Sequence, residues 1–340
     1  MHQINKFPLV SVVVTAKNEE DTIESCILSI MEQTYPNFEL IFVDAISSDK
    51  TFEKANRLKN VAESKKNCKR YIAVSKKAET PARGRNLGAE ISNGSILAFT
   101  DADCMAENGW LENLVLHMSP EIGIVGGPNV IRHTTKSKIT TAIDCVLTTY
   151  IGSGGSPQFY QIKKDRDVYV VSSCNMAIQK SLFEIEGGFD ESLRFNEDSE
   201  FCNRLLRKGI RIFYTLTAKI NHFIGIETFS QFVSYFYKYG FERGKNAAKN
   251  YHLITKFNAL SLAVMLTGVC LILLSFISSL AFTILVLLVT IFVASIFVIS
   301  LKIALMNNSL LLLFYVFSVF LSLYTAYNGG FILSYIFRIK

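Results

Sequence analysis

At 340 residues, half of them apolar, the chain is long enough for two or three structural units. Its formal charge of +6 suits a surface lying against anionic lipid, and no nucleic-acid recognition motif accompanies it, so no nucleic-acid partner is expected. The seven cysteines, at 26, 68, 104, 145, 174, 202 and 270, show no Cys-x-x-Cys spacing, which argues for reduced cytosolic thiols and against a disulfide framework or a zinc site.

Met1 to Pro8 is short and polar, and Leu9 to Val14 is strand-length and β-branched rather than a secretory core, so no signal peptide is expected. A polar loop, Thr15 to Glu20, leads to a helix over Asp21 to Gln33, marked by Ile23, Ile27, Ile30 and Met31 at helical spacing. Phe38 to Val43 is the next strand, stopped by Asp44; Asp49 to Lys66 reads as one long charged helix, and Tyr71 to Val74 as a third strand. Pro81 opens a helix through about Ile91, with Asn93-Gly94 as its stop. Strands alternating with helices predict an α/β fold with a parallel sheet.

The apolar run Ile96 to Phe99 then closes on Asp101-Ala102-Asp103. Carboxylates at alternate positions of an extended backbone point the same way, so Asp101 and Asp103 can face one hard cation, Mg²⁺ or Mn²⁺, at the strand end where α/β sheets place their chemistry. Trp110 to Met118 is a helix, and residues 132 to 168 read as loop-rich. The small-residue cluster at 152–156 fits either a mobile segment beside a substrate or plain linker. Val168 to Ser172 and Cys174 to Ile178 read as strands, and Asn196-Glu197-Asp198 opens a helix to Lys208. There the acidic residues can cap the helix or serve a site.

The remainder is different in kind. No charged residue occurs from Phe257 to Leu301 or from Ile303 to Phe337, runs too long for a core helix. Crossings are expected at about 259–278, 281–301 and 309–327, with Gly329-Gly330 interrupting the last run. Lys256 and Lys302 favour a catalytic domain facing the cytoplasm; Arg338 and Lys340 then leave crossing and re-entry of the last helix both open. Phe229, Phe232, Val233, Phe236 and Tyr239, with Lys238, Arg243, Lys245 and Lys249 nearby, describe an amphipathic helix for the headgroup layer, with a helix that packs on the domain as the alternative.

Taken together, Val10 to Glu20, Gln33 to Glu39, Val43-Asp44, Arg85 to Gly88, Phe99 to Asp103, Cys174 to Ala177, Gly187 to Glu191 and Glu197-Asp198 resemble the family 2 glycosyltransferases over residues 9 to about 250. The resemblance implies a GT-A Rossmann-like nucleotide-sugar-binding domain over residues 1–225, an interfacial segment over 226–256, and an all-α membrane domain over 257–340. It further implies Thr15, Lys17 and Asp44 at the nucleoside, Arg85 at the diphosphate, Asp101 at ribose and metal, Asp103 at the metal with His222 as a further ligand, and Asp198 as general base with Glu197 beside it. Glu19 is expected to cap the first helix. Ala45 stands where relatives often carry an acid that contacts uridine, so the nucleotide is left open. The lone Trp110 leaves no Gln-x-x-Arg-Trp segment after the base, which favours one sugar per encounter. The implied activity is inverting, metal-dependent transfer (Mn²⁺ or Mg²⁺) of a single sugar from a nucleotide sugar to a lipid-linked or membrane-surface acceptor, by a multi-pass protein of the bilayer, expected in the plasma membrane. A processive polysaccharide synthase and a non-catalytic subunit of an export assembly are the alternatives.

Overall fold

A computed structural model describes residues 7–157, 159–160, 162–249 and 256–337. In chain order its elements are β1 Val10–Ala16, α1 Ile23–Met31, β2 Phe38–Asp44, α2 Thr51–Arg57, α3 Lys59–Ser64, β3 Cys68–Ser75, α4 Pro81–Glu90, β4 Ile96–Asp101, β5 Cys104–Ala106, α5 Trp110–Leu116, β6 Ile122–Gly126 and β7 Asn129–Arg132. There follow α6 Lys138–Leu147, α7 Tyr150–Ser153, β8 Arg166–Asp167, β9 Met176–Gln179, α8 Lys180–Ile185, α9 Glu197–Leu206, β10 Arg211–Tyr214, β11 Ile220–Phe223, α10 Phe229–Lys249, α11 Lys256–Ser275, α12 Ser279–Met306 and α13 Leu310–Phe337.

The chain divides into two compact units, one of Met1–Arg132 with Ser156–Ile224, the other of His133–Gly155 with Gly225–Lys340. The first is built on an eight-stranded sheet of order β3-β2-β1-β4-β9-β6-β10-β8, with a three-stranded sheet β5-β11-β7. β1, β2, β3 and β4 are parallel, as the alternation of strands and helices predicts. β9 runs antiparallel between β4 and β6, so the whole sheet is mixed. β1 is covered on both faces. Val10, Val12 and Val14 join one apolar cluster with α1 and α5, whereas Val13 joins another with Leu97 and Phe99.

Several expectations change at the level of elements. The long helix over 49–66 is two short ones, α2 and α3, joined at Leu58. Val168 to Ser172 is not a strand; the neighbouring two-residue β8 is the sheet's edge and pairs only with β10, and a 3₁₀ turn over Ser173–Asn175 precedes β9. Residues 138–147, read as loop, are a helix started by a reciprocal capping box between Ser137 and Thr140.

In the second unit α13 runs unbroken through Gly329-Gly330. Of the pair only Gly330 lies at the crossing with the neighbouring α10, which occupies the space a side chain would take there. A Cβ on Gly330 would stand 2.3 Å from the carbonyl oxygen of Tyr237, and one on Gly240 2.1 Å from that of Tyr327. Phe232 and Phe236 of α10 are buried, so part of its aromatic face packs inside the protein. α12 and α13 are each long and apolar enough to cross a bilayer. The described apolar part of α11 is shorter, Leu266–Ser275. Arg338, Lys340 and residues 250–255 of the 226–256 segment lie outside the described residues.

Candidate active site

β1 leads to β2 and β3 on one side of the sheet, whereas β4 lies on the other, with Thr15 paired in register to Asp101. Loops leaving the carboxyl ends of these two strands diverge there and open a crevice. A cleft of about 270 Å³ fills it, lined by Thr15, Lys17, Glu19, Val43, Ala45, Ala78, Thr80, Arg85, Asp101 and Asp103 among others. Its rim is tied together. Asn18 Oδ1 accepts from Ser48 N at 2.8 Å, and Glu19 N donates to Thr51 Oγ1 at 2.8 Å.

Asp44 is placed apart from its neighbours Val43 and Ala45. Its buried carboxylate accepts from Ser75 Oγ at 2.6 Å and Ser47 N at 3.1 Å. It shapes the turn that carries Ala45 to the cleft wall.

α4 presses on β1 closely enough that a Cβ on Gly88 would meet Val13 Cγ1 at 2.2 Å, and this brings Arg85 over the strand ends. The guanidinium is buried. It donates to Asp101 Oδ1 at 2.5 Å and to Glu197 Oε1 at 2.6 Å, joining β4 to the N-terminus of α9. Burial opposes the charge on Arg85, but the acids Asp101, Glu197 and Asp198 outweigh it and raise its pKa. Burial pushes Glu197 up to about 7 against the pull of Arg85. Ser173 Oγ donates to Glu197 Oε1 at 3.2 Å, while Asp198 accepts from Ser199 N at 2.6 Å and Ser173 N at 3.4 Å. Arg85, Asp101, Glu197 and Asp198 thus form one constellation drawn from three elements.

Asp103 and His222 meet across β5 and β11, with His222 Nε2 3.2 Å from Asp103 Oδ2. Burial would raise the acid, but the imidazole holds Asp103 below its usual range, and Asp103 in turn carries His222 well above its own despite burial. Asp103 and Asp101 offer the carboxylate oxygens that a hard divalent cation prefers, and His222 could join them only on giving up the Nε2 proton it shares with Asp103.

Glu19, expected to cap α1, meets the helix start and also lines the cleft: its backbone oxygen accepts from Ile23 N at 3.0 Å and its Oε2 from Thr22 Oγ1 at 3.2 Å. Burial and the negative charges of Asp103 and Asp101 push it up to about 7. Two cysteines also enter the site. Cys104 Sγ, Cys174 Sγ and a ring nitrogen of His222 lie within 4.8 Å of one another. The seven cysteines are free thiols. Linear spacing hides this group because Cys104 faces His222 only through the pairing of β5 with β11.

The family model for glycosyl transferase family 2 matches residues 11–185, just over half the chain and the part that carries the cleft. The chain belongs to this family. The glycosyltransferase AglE of Haloferax volcanii is 34% identical over 123 residues, 35% of this chain and 39% of AglE. An uncharacterized glycosyltransferase of Haemophilus influenzae is 34% identical over 105 residues, 31% of this chain and 40% of that protein. This chain thus spans about two fifths of the length of these relatives. A longer match joins it to a dolichyl N-acetyl-alpha-D-glucosaminyl phosphate 3-beta-D-2,3-diacetamido-2,3-dideoxy-beta-D-glucuronosyltransferase of Methanococcus voltae, 24% identical over 76% of this chain and 82% of that protein. Among solved structures, the mannosyltransferase PcManGT of Pyrobaculum calidifontis, in complex with GDP-Man and Mn²⁺, superposes with a TM-score of 0.65 over 99% of this chain and 89% of that one at 16% identity. The mixed α/β core is therefore of the GT-A type, followed by C-terminal helices of which two are long and apolar enough to span a membrane.

Proposed function

We propose that the protein is a membrane-anchored, inverting glycosyltransferase that moves one sugar from a nucleotide sugar to a lipid-linked acceptor on the cytoplasmic face. The observation that carries this reading is the clamp in which Arg85 ties Asp101 at the end of β4 to Glu197 beside Asp198. The names of relatives that act on dolichyl and undecaprenyl-linked sugars support a lipid-linked acceptor, and α12 and α13 support membrane attachment.

In this reading Thr15, Lys17 and the wall formed by Val43 and Ala45 receive the nucleoside, with Asp44 setting the turn beneath. Asp101, Asp103 and His222 hold a divalent cation, which when bound supplies positive charge to the leaving diphosphate. Arg85, buried and charged by its acids, faces the same leaving group. Asp198 takes the proton of the acceptor hydroxyl as that oxygen bonds to the anomeric carbon. The bond to the nucleoside diphosphate breaks on the opposite face, so the centre inverts and no sugar–enzyme bond forms. Glu197 holds Arg85 and Asp198 in place.

Purified full-length protein, Mn²⁺ and a panel of UDP, GDP and dTDP sugars with polyprenyl-linked acceptors test this directly. Transfer is expected with one donor class, falling by about 10²–10⁴ in Asp198→Asn with donor binding retained. A wild type that transfers no sugar from any donor, or an Asp198→Asn as active as the wild type, would refute the assignment.

A further inference from the structure

We propose that Cys104, Cys174 and His222 form a thiolate–imidazole site for a soft divalent ion, Zn²⁺, directly behind Asp103. Their donor atoms lie within 4.8 Å of one another, and both cysteines are buried. Tetrahedral zinc, with Zn–S near 2.3 Å and Zn–N near 2.0–2.1 Å, separates such ligands by roughly 3.6–3.8 Å, so adjustments of about an ångström would close the site.

The surroundings match what metal ligands require. His222 commits Nε2 to Asp103 at 3.2 Å, while its Nδ1 is buried and, among the described residues, makes no regular hydrogen bond, the ring interacting with the Cys174 thiol. A histidine that binds metal through one nitrogen usually donates the other to a carboxylate, the arrangement His222 shows. Cys174 Sγ receives a hydrogen bond from Asn129 Nδ2 at 3.1 Å and has Ser172 Oγ at 3.1 Å, groups able to stabilise a thiolate. Sulfur donors select zinc over Mg²⁺ or Mn²⁺, so the site differs in chemistry from the oxygen-rich one at Asp101. Zinc binding displaces to solvent the protons on its two sulfurs and on His222 Nδ1, leaving a fourth position for water.

A consequence follows that rests on the transferase reading above. With zinc on Nδ1, Nε2 keeps its proton for Asp103 and cannot ligate the hard cation. Zinc would then weaken Mn²⁺ binding through one shared imidazole.

The test uses full-length protein in detergent, stripped with chelator. Titration with Cd²⁺ as a zinc surrogate should produce the ultraviolet thiolate-to-cadmium charge-transfer band in the wild type and in Cys145→Ser/Cys270→Ser. The band should be lost in Cys104→Ser/Cys174→Ser, with affinity for Zn²⁺ down at least about 100-fold. X-ray absorption of the zinc-loaded wild type, which needs no variant to fold, should show a shell of two sulfurs. Absence of the band, its persistence in Cys104→Ser/Cys174→Ser, or a zinc shell of nitrogen and oxygen alone would overturn the site. Zinc that binds with the two-sulfur shell yet leaves Mn²⁺ affinity unchanged would uphold the site and remove His222 from the hard-cation set.

Discussion

At the scale of single residues, the site is governed by how few positive charges serve its acids. Arg85 lies between Asp101 and Glu197, and burial still keeps the Glu197 carboxyl at about 7, above its ordinary 4.5. A carboxyl raised in the folded state binds its proton more tightly there than in the unfolded chain. Its contribution to stability is therefore complete below about 4.5 and is lost as pH rises through 7. Glu19 behaves alike in the same window. Glu197→Gln should flatten part of this decline, measured as unfolding free energy between pH 4.5 and 8, with Glu19 and, above about 6.5, the raised His222 and His133 contributing to the remaining slope. An undiminished slope would show that Glu197 is not raised. The carboxylates were legible in the sequence because Asp101 and Asp103 occupy alternate positions on one strand end. Cys104, Cys174 and Glu19 were not, since their place in the site depends on strand pairing and loop closure that no local spacing encodes.

At the scale of elements, two adjacent glycines separate local propensity from packing. Glycine favours a break in an isolated helix, which is how Gly329-Gly330 reads in sequence. In α13 the pair is instead continuous helix, and the two positions differ: nothing stands within 4 Å of a Cβ at Gly329, whereas Gly330 abuts the backbone of α10. Gly329→Ala should be neutral or stabilising by up to about 1 kcal/mol. Gly330→Ala forces the two backbones apart and should cost about 1–3 kcal/mol. Thermal unfolding of the detergent-solubilised protein distinguishes them; equal melting temperatures would refute the close crossing. The same limit explains α6, which reads as loop, although its Ser137–Thr140 capping box marks a helix start. The first strands and helices were legible because both faces of β1 are filled and α1 shows an uninterrupted apolar stripe.

For the whole molecule, the question is which solvent α12 faces. Most of its large apolar side chains are exposed, among them Leu288, Ile291 and Val298, as suits lipid contact rather than a soluble core. Its Leu, Ile, Val and Phe residues each favour insertion by about 0.3–0.6 kcal/mol at mid-membrane, which together exceeds roughly 5 kcal/mol. One arginine near the centre costs about 2.5–3.5 kcal/mol, less than that reserve. Ile291→Arg alone should therefore leave α12 inserted, while Leu288→Arg/Ile291→Arg should consume most of the reserve and lower the inserted fraction sharply. Glycosylation acceptors placed before Ser279 and after Met306 in the full chain report that fraction. A double variant that inserts as fully as the wild type would show that Leu288 and Ile291 face protein rather than lipid.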